Sequence, residues 1–221
     1  MGDKVTLRLA AMKHRYRRVI AFICGLIVIL LMIMGLVSTD WLMSAGWRQG
    51  LFMHCIEENA PEPLPFNTKG SSGCYSARDV AYIKASATLC VITLLTDLVA
   101  TVLTGLGLRT KDHHTKFKYY RFAVIVMGIS LASILIALII YPVCFAAELN
   151  LGKVSPLFFN NKYSRILLGN RTIWEFGWAY GVGWGVAIFL FSGVVLLICD
   201  KESEEIYYKE RKIVHDNDSR A

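Results

Sequence analysis

The sequence predicts an all-α membrane protein of four transmembrane helices. Two observations carry that fold class. Of the 221 residues, 55% are hydrophobic, above the roughly 45–50% usual in a soluble domain. Charge is also cleared from four windows and crowded between them. Val19–Val37 has no charge, Ala85–Leu108 has one (Asp97), and Phe122–Phe145 and Gly177–Cys199 have none. A bilayer core takes about 20 mainly apolar residues per helix, and buried helices of soluble proteins seldom run this long without a polar face. The first window has a basic flank like a signal peptide, but its apolar stretch is longer than the roughly 7–15 residues of a signal core, so it is read as a retained helix.

Orientation follows from Lys and Arg. Residues 1–18 carry Lys4, Arg8, Lys13, Arg15, Arg17 and Arg18. The loop 109–121 carries five basic residues in thirteen positions, whereas 38–84 carries four in forty-seven and 146–176 carries four. Both termini, the middle loop and the tail 200–221 are therefore expected in the cytosol, with the two longer loops outside. The net charge of +7 reflects this asymmetry. It does not point to nucleic acid, since no basic–aromatic groove is present. Asn170-Arg171-Thr172 is an N-glycosylation sequon in the second outward loop. Asn217-Asp218-Ser219 is a second sequon, placed in the cytosolic tail, where it stays unmodified.

In chain order, residues 1–18 form a basic arm suited to anionic lipid heads. The first outward loop then runs "WRQGLFMHCI", a mixed stretch compatible with a strand pair closed by a turn at Gly50. An irregular excursion over Asn59–Gly73 follows, marked by Pro61, Pro63 and Pro65. Cys55 and Cys74 are the only cysteines of an outward loop. An oxidising exterior permits a disulfide between them, the alternative being two free thiols. Closing that eighteen-residue gap would remove about 3 kcal/mol of unfolded-chain entropy.

The second helix holds Asp97, the one ionisable group deep in an apolar run. It is read as a structural carboxyl bonded to Thr93, Thr96, Thr101 or Ser130, because a proton or ion path needs more than one such group. Pro142 should loosen the last turn of the third helix. Leu157-Phe158-Phe159 in the second loop is either an adhesive tip or a headgroup contact. In the fourth helix Gly177, Gly181 and Gly185 recur every four residues. That spacing suits close helix packing inside the bundle, or a dimer face. Cys199 at the inner end is a candidate palmitoylation site, and Tyr207 and Tyr208 sit in a polar, mobile tail. The C-terminal Ser219-Arg220-Ala221 is a poor PDZ ligand.

Catalytic and metal motifs are missing. His14, His54, His113, His114 and His215 lack ligand spacing, and no phosphate-binding loop or nucleophile elbow occurs. No enzyme, cofactor or metal is expected.

Four helices, inside termini and a tryptophan–Gly-Leu–cysteine–cysteine loop resemble the claudin and peripheral-myelin-protein superfamily. The carriers are Trp41, Trp47, Gly50-Leu51-Phe52, Cys55 and Cys74, with Gly177-Trp178-Ala179 opening the fourth helix. Within it the chain looks closest to the transmembrane protein 47 (brain cell membrane protein 1) group, through Tyr141-Pro142 and "FGWAYGVGWGVAIFLFSGVVLLIC". Phe52 stands where the family has a tryptophan, and the cysteine gap is longer than in most claudins. The resemblance implies a left-handed four-helix bundle crowned by a small extracellular antiparallel β-sheet. In it Cys55–Cys74 staples two strands, and Trp41, Gly50, Leu51 and Phe52 seat the sheet. It further implies a plasma-membrane protein of cell–cell junctions. Its partners would be membrane lipids, junctional or channel membrane proteins, a cytosolic scaffold, or further copies of itself. The competing implications are an auxiliary subunit of a channel or receptor, like the calcium-channel gamma subunits, and a paracellular channel former using Glu57, Glu58 and Glu62.

Overall fold

The computed structural model describes residues 2–58, 60, 71–110, 112–154 and 174–218. Side chains are described over 16–58, 60, 71–110, 112, 115–148 and 174–200. The elements run α1 (Gly2–Val37), β1 (Leu42–Ser44), β2 (Trp47–Gln49), β3 (Met53–Ile56), β4 (Gly73–Ser76), α2 (Ala81–Arg109), α3 (His113–Val154), β5 (Glu175–Phe176) and α4 (Trp178–Asp218). The sequon at Asn170, the Leu157–Phe159 triplet and Glu62 lie outside the described residues.

Four helical segments are long and apolar enough to cross a membrane: 16–37, 81–109, 115–148 and 178–200, with mean hydropathies of 3.1, 2.1, 2.9 and 2.5. Their surfaces are inverted relative to a soluble protein. Leu30, Leu95, Val143, Ile188 and Phe191 are exposed, while Thr93, Asp97, Thr104 and Ser130 are buried. Water would penalise that outer surface and lipid would not. These features are those of a multi-pass membrane protein.

The helices extend beyond their apolar windows. α1 starts at Gly2 and α4 continues to Asp218, so the expected mobile tail has helical backbone. The reason is local. Residues 201–218 contain no Gly or Pro, are rich in Glu, Lys and Arg, and place Lys201, Glu205 and Lys209 four apart.

The chain divides into two compact units, Met1–Ile29 with Leu95–Leu131 and Ile188–Ala221, and Leu30–Leu94 with Ala132–Ala187. In the first, small residues set the contacts. A Cβ on Gly25 would collide with Thr101 Oγ1, one on Gly193 would come within 2.8 Å of Met127 Sδ, and one on Gly107 within 2.8 Å of the Tyr120 ring. Ser130 donates to Thr96 Oγ1 at 2.6 Å, joining α3 to α2. At the end of the apolar spans Arg18 pairs with Asp200, both buried, and its guanidinium lies 4.7 Å from the centre of the Tyr120 ring.

In the second unit the sheet order is β4-β3-β2-β1-β5, all neighbours antiparallel. The pair around Gly50 is β2 and β3, closed by Gly50 N–H donating to Met53 O at 2.8 Å. β1 joins β2 through a turn where Gly46 has φ +70°, a conformation that penalises any residue with a Cβ. α3 continues as helix through Pro142 to Val154. Proline has no N–H for the Leu138 carbonyl. The Tyr180 hydroxyl donates to that carbonyl instead, at 3.0 Å, so the freed acceptor is satisfied from α4.

Two outcomes follow. Tyr180→Phe strips the Leu138 carbonyl of its donor and should lower stability by about 1–3 kcal/mol, read as a lower melting temperature in detergent; an unchanged melt would show that the carbonyl finds another donor. Arg18→Ala removes the cation that pairs with the buried Asp200 carboxylate, which should cost about 3–5 kcal/mol, read as a lower melting temperature. The double variant Arg18→Ala/Asp200→Asn should recover part of that loss.

Candidate functional site

The site is the five-stranded sheet and its seat on the helix ends of the second unit. It begins at Trp41, just past α1, which is buried. Its indole N–H donates to Gly35 O at 2.7 Å. Its ring lies 5.6 Å from Tyr141 on α3 and 6.2 Å from Tyr180 on α4. Its backbone does as much: Trp41 N–H donates to Gln49 O at 3.2 Å, and Trp41 C=O accepts from Gly177 N–H at 3.1 Å. One residue therefore ties the end of α1, strand β2 and the start of α4 together.

Asp40 completes the junction. Its carbonyl accepts the Ala179 N–H at 3.2 Å, satisfying one of the orphan donors at the N-terminus of α4. Its Oδ2 accepts the Trp178 indole at 2.7 Å. Gly177 is needed here, because a Cβ would run into the Asp40 carbonyl. Gly50 is needed for the same reason against Ser38 O. Leu51 is buried beneath the turn, whereas Phe52 is 50% exposed. Phe52 therefore does not seat the sheet. It follows the hairpin turn at Gly50 with half of its surface exposed.

Strand alternation splits the sheet into two faces. Leu42, Trp47, Gln49, His54 and Ile56 point inward and are buried. Arg48, Met53 and Cys55 occupy the other face. Trp47 is fully buried and meets Trp174 edge-on at 5.7 Å, and Trp174 in turn meets Phe145 on α3 at 5.1 Å. Sequence reading gave these aromatics no partners.

Arg78, which sequence reading missed, is the polar centre of the seat. Its Nε donates to Gln49 Oε1 at 2.9 Å. Its two terminal nitrogens grip Glu148 at 2.9 and 3.1 Å, and Nη2 also donates to Tyr82 Oη at 3.0 Å. Tyr82 donates to Glu148 Oε2 at 2.9 Å. The guanidinium lies 6.0 Å from the Trp47 ring centre. Sheet, α2 and α3 thus meet at one planar cation, whose fixed fork suits bidentate carboxylate binding in a way lysine cannot match. Only the position of Arg78, four residues before Tyr82 at the opening of α2, hinted at this.

The edge strand β4 is held differently. All four of its residues are exposed, so burial does not fix it. The Cys55–Cys74 disulfide does, joining residues directly opposite in the β3–β4 register. His54 Nδ1 adds a bond to Ser76 O at 2.7 Å. Since a carbonyl only accepts, Nδ1 carries the proton. The Tyr75 ring stacks on His54 at 5.7 Å. On the opposite face, which carries the disulfide, Arg48 donates to Glu57 Oε1 at 2.9 and 3.1 Å.

Other sequence-predicted positions fall elsewhere. Neither carboxylate oxygen of Asp97 has a hydrogen-bond partner among the described residues. The expected bonds to nearby hydroxyls are not made, because Ser130 is taken by Thr96 and Thr101 Oγ1 stands against Gly25. The glycine stripe of α4 is divided. Gly177 packs tightly, but among the described residues a Cβ on Gly181 would meet nothing and one on Gly185 only Leu31 at 3.9 Å, whereas one on Gly183 would come within 2.8 Å of Leu138. Packing inside the protein therefore uses Gly183 and not the Gly181–Gly185 pair. Cys199 is exposed; Cys24 and Cys90 are buried. No protein-family model matches the chain.

Arg78→Lys keeps the charge but loses the fork. It should weaken the seat by about 1.5–3 kcal/mol, the worth of hydrogen bonds to charged groups. Limited proteolysis of the sheet loop in detergent would read this as faster cleavage than in the wild type. Equal cleavage rates would mean that the aromatic contacts alone hold the sheet.

Proposed function

We propose that the chain is a non-enzymatic four-pass protein of the plasma membrane that organises cell–cell junctions, belonging with the claudin and peripheral-myelin-protein superfamily near the transmembrane protein 47 group. The sheet acts as a rigid adhesive head, and the helices associate laterally. The observation that carries this reading is the construction of the sheet. A four-residue strand with no buried residue is fixed to its neighbour by a disulfide, and the neighbours are anchored on all four helices. A head of defined shape suits contact with another protein surface; a loop that merely connected two helices would need neither staple nor seat. The basic residues of the termini and middle loop favour a cytosolic location for both ends, with the sheet outside, where the Asn170 sequon would be glycosylated.

The exposed face of α4 at Gly181, where a Cβ would meet nothing among the described residues, suits the lateral partner, whether another copy or a channel or receptor served as an auxiliary subunit. The pore-forming reading has less support, since Glu57 is already engaged by Arg48.

The test is imaging of tagged protein in a polarised epithelial sheet alongside Cys55→Ser and Cys74→Ser. Enrichment of the wild type at cell borders, lost in both variants while surface expression persists, is the expected result. Uniform surface staining that ignores the disulfide would sink the junctional reading, and stable co-purification with a pore-forming protein would then favour the auxiliary-subunit reading.

A further inference from the structure

The helical extensions of α1 and α4 leave the apolar spans at the same end. Arg18 and Asp200 are joined there by a buried ion pair, residues 2–15 and 201–218 continue as helix, and both extensions belong to one compact unit. Two antiparallel helices with equal rise per residue keep a constant register, so the Arg18–Asp200 pair fixes which residues are level. His14 is level with Glu204, Ala11 with Tyr207, Arg8 with Glu210 and Lys4 with Val214.

The sequence continues the buried faces outward. On α1 the buried positions Arg18, Ala21, Gly25 and Val28 are spaced three, four and three apart, and the same alternation gives His14, Ala11, Leu7 and Lys4. On α4 the buried positions Leu190, Gly193, Leu197 and Asp200 extend to Glu204, Tyr207, Arg211 and Val214. This is the seven-residue alternation of a two-helix seam. The seam sets a small residue, Ala11, level with a large one, Tyr207. Charge is complementary as well. Residues 2–15 carry four Lys and Arg against one Asp, and residues 203–216, level with them, carry three Glu and one Asp against three Lys and Arg. We infer that the two extensions pair with each other as an antiparallel helical stalk in the register set by Arg18 and Asp200. The basic arm is thus engaged by the protein's own acidic tail rather than spread on lipid heads, and the chain presents a preformed two-helix surface at that end.

Paired cysteines in full-length protein in native membranes, on a Cys199→Ala background, test the register. Ala11→Cys/Tyr207→Cys and Lys4→Cys/Val214→Cys are level. Ala11→Cys/Val214→Cys is displaced by seven residues, about 10 Å along the axis. Mild oxidation should form an intramolecular disulfide in both level pairs, seen as a gel-mobility shift, several-fold more than in the displaced pair. Glu204→Arg should reduce that yield, and adding His14→Glu should restore it. Equal yields in level and displaced pairs, cross-links only between chains, or no cross-link with the arm cysteine quenched by a lipid-borne quencher would each overturn the pairing. Retention of the Cys55–Cys74 disulfide in every variant serves as the check on folding.

Discussion

The seating of Trp41 is the constraint on which the sheet end of the protein depends. A tryptophan a turn past the end of a membrane helix is often an interfacial anchor, ring against lipid headgroups. Here the ring is inside, its N–H spent on the last turn of α1 and its faces against tyrosines of α3 and α4. Its backbone hydrogen bonds then dictate where β2 and the start of α4 must lie. The two close-approach glycines follow from this: Gly50 and Gly177 are where backbone meets backbone around the Ser38–Trp41 corner. Arg78 adds a second, polar fastening through the inward-facing Gln49 and Glu148 of α3.

Together these separate the sheet into two mechanical regimes. β1, β2 and β3 are held by burial and by the Arg78 fork, so they belong to the body of the unit. β4 has no buried side chain and is held by covalent and cross-strand bonds. The disulfide lies on the outward face, so it contributes shape to an exposed edge and not core to the interior. An exposed uncharged edge strand is ordinarily a liability that proteins blunt. Fixing it rigidly in place fits a surface meant for contact.

Much of this architecture was legible in the sequence, and unevenly so. The four helices were visible because lipid demands long uncharged runs, a constraint few soluble folds imitate. The β2–β3 hairpin was visible through Gly50 and mixed polarity. β1, with three residues, and β5, with two, were not. Their pairing is decided by Trp41 and Asp40 holding distant segments together, and Leu42 finds Phe176 across 134 positions. Arg78 was invisible for the same reason: its carboxylate partner lies 70 positions away. The glycine spacing of α4 pointed to Gly177, Gly181 and Gly185, but of the later positions the close contact is made by Gly183 against Leu138, since periodicity does not identify the neighbour. Asp97 shows the opposite limit. Its burial was foreseeable, but Thr93 donates to Leu89 O and Ser130 to Thr96 instead, and Thr101 Oγ1 has no hydrogen-bond partner among the described residues.

The most direct measurement of the central account is amide hydrogen exchange over Leu42–Ile56 in detergent-solubilised wild type and Trp41→Leu, with the Cys55–Cys74 disulfide intact in both. If Trp41 organises the seat, protection of β1, β2 and β3 falls together in the variant while the disulfide persists. Undiminished protection of those strands without the indole would contradict the account, and would place the anchorage of the sheet in the Arg78 network alone.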